Sequence, residues 1–132
     1  MTKNNCGCES SAAPTLIFPC SGAADVGEIA DRVARKLSKD GVGTIFCLAG
    51  IGAGLSGFVR SAQAARMNIT IDGCPTACSR KVLENLGIEP QSFVLTDMGL
   101  VKGKTPVEDN VIEKISEVIK KSLTEEKMNE KK

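Results

Sequence analysis

The sequence predicts an α/β protein in three layers, with helices on both faces of a four-stranded parallel sheet. Three observations predict it. Short apolar runs alternate four times with amphipathic helical stretches, which is the β-α-β-α pattern of a parallel sheet. Cys20, Cys47 and Cys74 recur at intervals of 27 residues, about one strand, one helix and two turns, and each follows a short apolar run. Capping and stop residues also fall at the expected helix boundaries. Right-handed crossovers leave few topologies, and a flavodoxin/Rossmann-like strand order of 2-1-3-4 is expected.

The first strand is read over residues 15–19, ending at Cys20. Asp25 then opens a helix, with Glu28 three residues later completing a capping box. Val26, Ile29, Val33 and Leu37 form its apolar stripe, Lys36 and Lys39 suit its C-terminal end, and Gly41 stops it. A second strand over 44–49 carries Cys47, and an Ala-rich helix runs from Leu55 to about Arg66. A third strand occupies 68–72. The third helix begins at Pro75 or Thr76, turns Val82, Leu83 and Leu86 inward, and stops at Gly87. The fourth strand is read over 92–97. Thr105-Pro106-Val107-Glu108 is a capping box with proline at the first helical position. The last helix then runs to about Ser122, with Val111, Ile115, Val118 and Ile119 on one face.

The expected organisation is one α/β metal-binding domain over residues 14–123. A flexible arm with Cys6-Gly7-Cys8 precedes it over 1–13, and a charged, disordered tail follows over 124–132. The accessory thiols Cys6 and Cys8 suit extra ligands, metal transfer or a reversible disulfide. They suit two incidental thiols equally well.

Composition removes several function classes. The chain of 132 residues is 42% hydrophobic, with four Phe and no Trp or Tyr, so its core is aliphatic. A net charge of +1, from 17 basic and 16 acidic residues, is not the basic footprint of a nucleic-acid binder. There is no histidine, which excludes Ser-His-Asp and Cys-His catalysis and every imidazole ligand. A transition-metal site must therefore use cysteine, with Asp, Glu or water in support. The start of the chain lacks an apolar signal segment, and no apolar stretch reaches the ~18 residues of a membrane span. The expected location is cytoplasmic, where clustered cysteines point to metal or redox chemistry rather than to a disulfide scaffold.

In a sheet of order 2-1-3-4, ligands bind at the carboxyl ends of the strands near the switch point. That edge would gather Cys20, Cys47, Cys74 and Cys78. Neighbouring strands lie ~4.8 Å apart, and four sulfurs on one zinc lie ~3.8 Å from one another, which this layout allows. Cys74 and Cys78 stand i and i+4 across a helix start, so both can face one side. Helix N-termini also favour thiolate, the metal-binding form. The bland alternative is four buried small hydrophobes. Asp72 and Gly73 precede Cys74, Ser21 and Gly22 follow Cys20, and Gly50 and Gly52 follow Cys47. These are expected to support the cysteine loops as outer hydrogen-bonding groups. A cysteine-only site of this kind suits zinc or an iron–sulfur cluster. The same thiols could instead serve as a redox enzyme or sensor.

Gly52-Ala53-Gly54-Leu55-Ser56-Gly57 matches G-x-G-x-x-G after an expected strand, with Asp72 placed like a ribose-binding acid. This makes a nucleotide-binding module the rival reading. Against it, the loop follows the second strand rather than the first. Gly103-Lys104-Thr105 is similar to the end of a P-loop, but the upstream Gly99 is one residue too close and Pro106 follows, so the helix-cap reading of Thr105 fits better. The Cys20 loop lacks the arginine that a phosphatase loop carries at position 26, which here is Val. Asp25 is read as an N-cap in preference to a ligand or base.

These residues resemble the DGC-domain family, to which zinc binding is ascribed. The family's Asp-Gly-Cys motif is similar to Asp72-Gly73-Cys74-Pro75, followed here by Cys78. Cys20-Ser21-Gly22 with Asp25-Val26-Gly27 is similar too, as is Phe46-Cys47-Leu48-Ala49-Gly50-Ile51-Gly52. The resemblance runs from about residue 15 to about residue 122 and implies Cys20, Cys47, Cys74 and Cys78 as zinc ligands. It implies no reaction, and Cys6-Gly7-Cys8 lies outside it.

Overall fold

The computed structural model describes residues 13–130. The expectations for the Cys6-Gly7-Cys8 arm therefore lie outside the described residues. In chain order the elements are β1 (Thr15–Pro19), α1 (Asp25–Lys39), β2 (Thr44–Ile45), α2 (Leu48–Gly52), α3 (Ser56–Ala64), β3 (Met67–Asp72), α4 (Cys78–Glu84), β4 (Gln91–Val94), a 3₁₀ turn (Leu95–Met98) and α5 (Asp109–Glu130).

The sheet is four-stranded and parallel throughout, in the expected order β2-β1-β3-β4. β1 is central and pairs with β3 from Thr15↔Met67 to Pro19↔Ile71. All five of its residues are buried, as a strand covered on both faces requires. Alternation along the strands then divides the core. Ile17, Ile69 and Ile71 pack with Ile29, Val33 and Leu37 of α1 and with Ile112, Ile115 and Ile119 of α5. Leu16 and Phe18 face the other way, onto Ile51, Ala62 and Leu83 of α2, α3 and α4. Phe46 stands edge-on to Phe18 at 5.7 Å and tilted to Phe58 at 5.5 Å, which pins α2 and α3 to this face. Gly50 is required there: a Cβ would lie 2.4 Å from the Phe58 ring. Among the described residues, no helix is long and apolar enough to cross a membrane.

Several boundaries differ from expectation. β2 is two residues long, because the chain turns at Cys47 into α2, whose first two residues lie within the strand expected over 44–49. The glycine loop consequently joins two helices, with Gly52 ending α2, Gly54 at φ +72° and Ser56 opening α3. The strand–turn–helix context of a dinucleotide fingerprint is absent. β4 ends at Val94 because the next four residues tighten into a 3₁₀ turn. α4 starts at Cys78 rather than at Pro75 or Thr76.

Both capping boxes are replaced by other contacts. The N-cap of α1 is Ala24, without a side-chain cap bond, and the Asp25 carboxylate turns instead to the loop before α5. α5 starts at Asp109, and Thr105 closes a turn with Val101. The buried stripe of α5 is Ile112, Ile115, Ile119 and Leu123, whereas Val118 is exposed. The segment expected as a disordered tail from residue 124 continues α5 to Glu130.

Candidate thiol centre at the carboxyl edge of the sheet

β1 ends at Pro19, and the N–H of Cys20 still donates to the Ile71 carbonyl at 3.0 Å, which carries the ladder one residue further. The Cys20 sulfur then accepts from the Gly73 N–H at 3.4 Å. Backbone packs on backbone around this contact. A Cβ on Gly73 would lie 2.6 Å from the Val26 carbonyl carbon, and one on Gly27 would lie 2.6 Å from the Gly22 oxygen. The Asp-Gly-Cys turn, the first turn of α1 and the Cys20 loop therefore stack with no room for side chains. Ser21 takes a left-handed conformation, φ 52°, and its hydroxyl donates to Asp31 at 2.8 Å. Asp31 also accepts from Arg35 Nε at 2.8 Å.

Cys47 caps α2. Its sulfur accepts from the Gly50 N–H at 3.4 Å, the position an Asp or Ser oxygen commonly fills. Cys47 is exposed and shares a cleft of about 710 Å³ with Cys20, Ser21, Arg35, Phe46 and Val82. Gly52 stands at the far end of the same short helix, with open space around it.

Asp72 closes β3, and its carboxylate is almost wholly buried. It accepts from the N–H groups of Ser79 at 2.8 Å and Arg80 at 3.1 Å, so it caps α4 from another element. Ser79 in turn donates its hydroxyl to the Phe18 carbonyl at 2.8 Å. This fixes the start of α4 over β1 and β3. Burial pushes the Asp72 carboxyl above its ordinary value, against the two N–H donors and Arg80.

Cys74 and Cys78 sit on either side of this cap. Cys74 is half-buried. Thr76, through its hydroxyl and then its N–H, holds the Cys74 thiol below its ordinary value of 9.0, and Lys102 adds to the effect. The Lys102 ammonium lies 4.0 Å from the Cys74 sulfur. Cys78 is exposed at the first position of α4, directly after Ala77, which is also left-handed at φ 51°.

All four cysteines thus lie at the carboxyl edge, each in or beside the turn after a strand. Cys20 and Cys47 are brought into one cleft, Cys74 faces Lys102, and Cys78 opens to solvent. Among the described residues, no three Cys, Asp or Glu side chains stand close enough together to hold a metal ion as they are. The donor chemistry still suits a soft cation: four thiols in a chain without imidazole, two of them accepting weak backbone N–H···S contacts. Asp72 caps the start of α4, and Gly73 donates to the Cys20 sulfur. Ser21 and Gly22 shape the Cys20 loop, and Gly50 donates to Cys47. Thr76 and Lys102 were not singled out from the sequence. No local signal marks Lys102, because a contact spanning 28 residues brings it to Cys74.

The chain matches the family model described as DGC domain over residues 16–121, an interval that holds all four cysteines. It is 31% identical to the anaerobic and virulence modulator AnvM of Pseudomonas aeruginosa over 88 residues, covering 66% of this chain and 67% of that protein. No solved structure matches the chain.

Proposed function

The chain belongs to the DGC-domain family, and on that premise we propose that it is a zinc-binding protein whose ligands are Cys20, Cys47, Cys74 and Cys78. The observation that carries this reading is the placement of backbone strain. Ser21 and Ala77 are the non-glycine residues with positive φ among the described residues, and each adjoins one of the cysteines. Such conformations cost about 1–3 kcal/mol each and persist where the surrounding structure enforces them, commonly at functional sites. Here they set the directions in which Cys20 and Cys78 leave the sheet edge.

In this reading Cys20 and Cys47 provide the first two ligands from their shared cleft. Cys74 and Cys78 complete the set by rotation of their side chains, Cys74 leaving its contacts with Thr76 and Lys102. Gly73 and Gly50 supply N–H donors to the Cys20 and Cys47 sulfurs and spread their thiolate charge, the role of outer groups around a metal. Asp72 holds the start of α4, and with it Cys78, in place. Bound zinc would supply a fixed divalent charge, closed if all four sulfurs ligate and Lewis-acidic if one position stays open.

Cys20→Ser and Cys47→Ser proteins, purified without added metal, test the assignment by elemental analysis. Each is expected to retain much less than the roughly one zinc per chain of the parent. Unchanged zinc content in Cys20→Ser would sink the ligand assignment. A second reading is favoured by Cys20 and Cys47 lining one cleft as free thiols: a dithiol redox pair. A metal-free parent whose two cleft thiols oxidise together would support it.

A further inference from the structure

The loop after the 3₁₀ turn is tied to the start of α1 by the Asp25 carboxylate, which also accepts from the Val26 N–H at 2.8 Å. Asp25 accepts from the Gly103 N–H at 2.9 Å and the Thr105 N–H at 3.1 Å, across 78 and 80 residues of chain. The loop is closed on itself as well: Thr105 exchanges two hydrogen bonds with Val101, at 2.8 and 2.9 Å, and the Lys104 N–H donates to the Val101 carbonyl at 3.0 Å. Gly103 provides the positive φ, +86°, that this tight turn needs. The bonds at 101, 103, 104 and 105 fix the backbone from which Lys102 projects, and its ammonium lies 4.0 Å from the Cys74 sulfur. Among the described residues Lys102 forms no ion pair, unlike Lys36 and Lys120, which share Asp40. Asp25 makes no ion pair with it; that carboxylate accepts from the N–H groups of Val26, Gly103 and Thr105.

We propose that the Asp25-latched loop holds Lys102 over Cys74 as an anion-selecting position, so that ligands favoured at this sulfur carry a negative charge for the ammonium that lies 4.0 Å from it. The chemical class is a small carboxylate- or phosphate-bearing compound. This deepens the proposed function, because it rests on the cysteine edge being the reactive centre. It does not require that zinc be bound.

The test compares two alkylating probes of nearly equal shape, iodoacetate and iodoacetamide, on metal-free reduced protein. In both reactions the Cys74 sulfur forms an S–C bond as the C–I bond breaks, iodide leaves with the electron pair, and the thiol proton passes to buffer. The ratio of the two rates at Cys74, resolved by mass spectrometry, cancels the fraction of thiolate and reads the local field alone. Lys102→Met is expected to lower the ratio about twofold to fivefold, the range of exposed ion pairs. Lys102→Arg should keep it, and about 1 M salt should bring the parent down to the variant. Lys104→Met, with the same loss of net charge, should change it less. Asp25→Ala should lower it as Lys102→Met does, and the double variant should go no further, because both remove one interaction. An unchanged ratio in Lys102→Met, or equal effects of Lys102→Met and Lys104→Met, overturns the proposal even if Asp25→Ala fails to fold. Zinc content is measured separately, so loss of the zinc reading and loss of the anion position are distinct results.

Discussion

The Gly73 N–H donates to the Cys20 sulfur at 3.4 Å across 53 residues, and this contact joins the Asp-Gly-Cys turn to the cysteine of the central strand. It exists because Gly73 and Gly27 let three backbone segments meet. A methyl group at position 73 would strike the backbone of Val26 and Gly27 at 2.6 to 2.9 Å. Gly73→Ala is expected to destabilise by about 1–3 kcal/mol, the usual range for overpacking. Gly57→Ala is the contrast: that glycine lies inside α3 with open space around it, and alanine should stabilise by roughly 0.5–1 kcal/mol through helix propensity. Urea unfolding of the two variants checks the pair, and a neutral Gly73→Ala would contradict the packing described.

Asp72 makes a pH prediction of unusual sign. Its folded pKa is raised, chiefly by burial, so the folded protein holds the proton more tightly than the unfolded chain does. The contribution of this group is fully present below the ordinary value of 3.8 and declines as pH rises through the raised value. Removing the carboxylate also removes the cap of α4, a loss of about 1–2 kcal/mol. Asp72→Ala should therefore be less stable than the parent, by a margin that narrows as pH increases from about 4. Unfolding curves across this range decide it, and a margin that widens would contradict the burial of a charged group here.

Asp40 behaves in the opposite way. Lys120 first, and then Lys36, hold its carboxyl below 3.8, and the Lys120 contact at 2.7 Å joins α5 to the end of α1. Its contribution is present above the ordinary value and is lost as pH falls through the depressed one. Asp40→Asn should melt lower than the parent near neutral pH, and the two should converge in strong acid and in high salt. Equal melting temperatures at neutral pH and low salt would show that the network adds nothing.

The two faces of α5 separate cleanly. Ile119 is fully buried against the sheet, and Val118 is 46% exposed. Ile119→Ala is expected to cost about 2–5 kcal/mol, and Val118→Ser about 0.5 kcal/mol or less. Denaturation midpoints of these neighbours test the face of α5 directly.

That face shows where the sequence was readable and where it was not. Val111, Ile115, Val118 and Ile119 make one helical stripe, but Ile112, Ile115, Ile119 and Leu123 make an equally regular one, and contact with α1 and the sheet selects the second. The strand order and the carboxyl-edge placement of four cysteines were legible, because a parallel sheet with alternating helices leaves few arrangements. α2 was not, since Phe46-Cys47-Leu48-Ala49 has the apolar continuity of a buried strand, and only the Cys47 cap turns it into helix. The caps at Asp25 and Thr105 were misplaced for one reason. Neither residue caps its helix as a box would: Asp25 bonds to Val26 and across the chain to Gly103, and Thr105 bonds back to Val101. Lys102 came to Cys74 through those same contacts, and no local rule reads a contact of 28 residues' span.

The central claim is that Cys20, Cys47, Cys74 and Cys78 converge on one zinc. X-ray absorption at the zinc edge, on protein loaded with one equivalent and dialysed, measures this most directly. The account predicts a shell of four sulfurs at ~2.3 Å with no nitrogen or oxygen contribution, or three sulfurs and one oxygen if a position is open. Zinc lost on dialysis, or a shell dominated by nitrogen and oxygen, would contradict it.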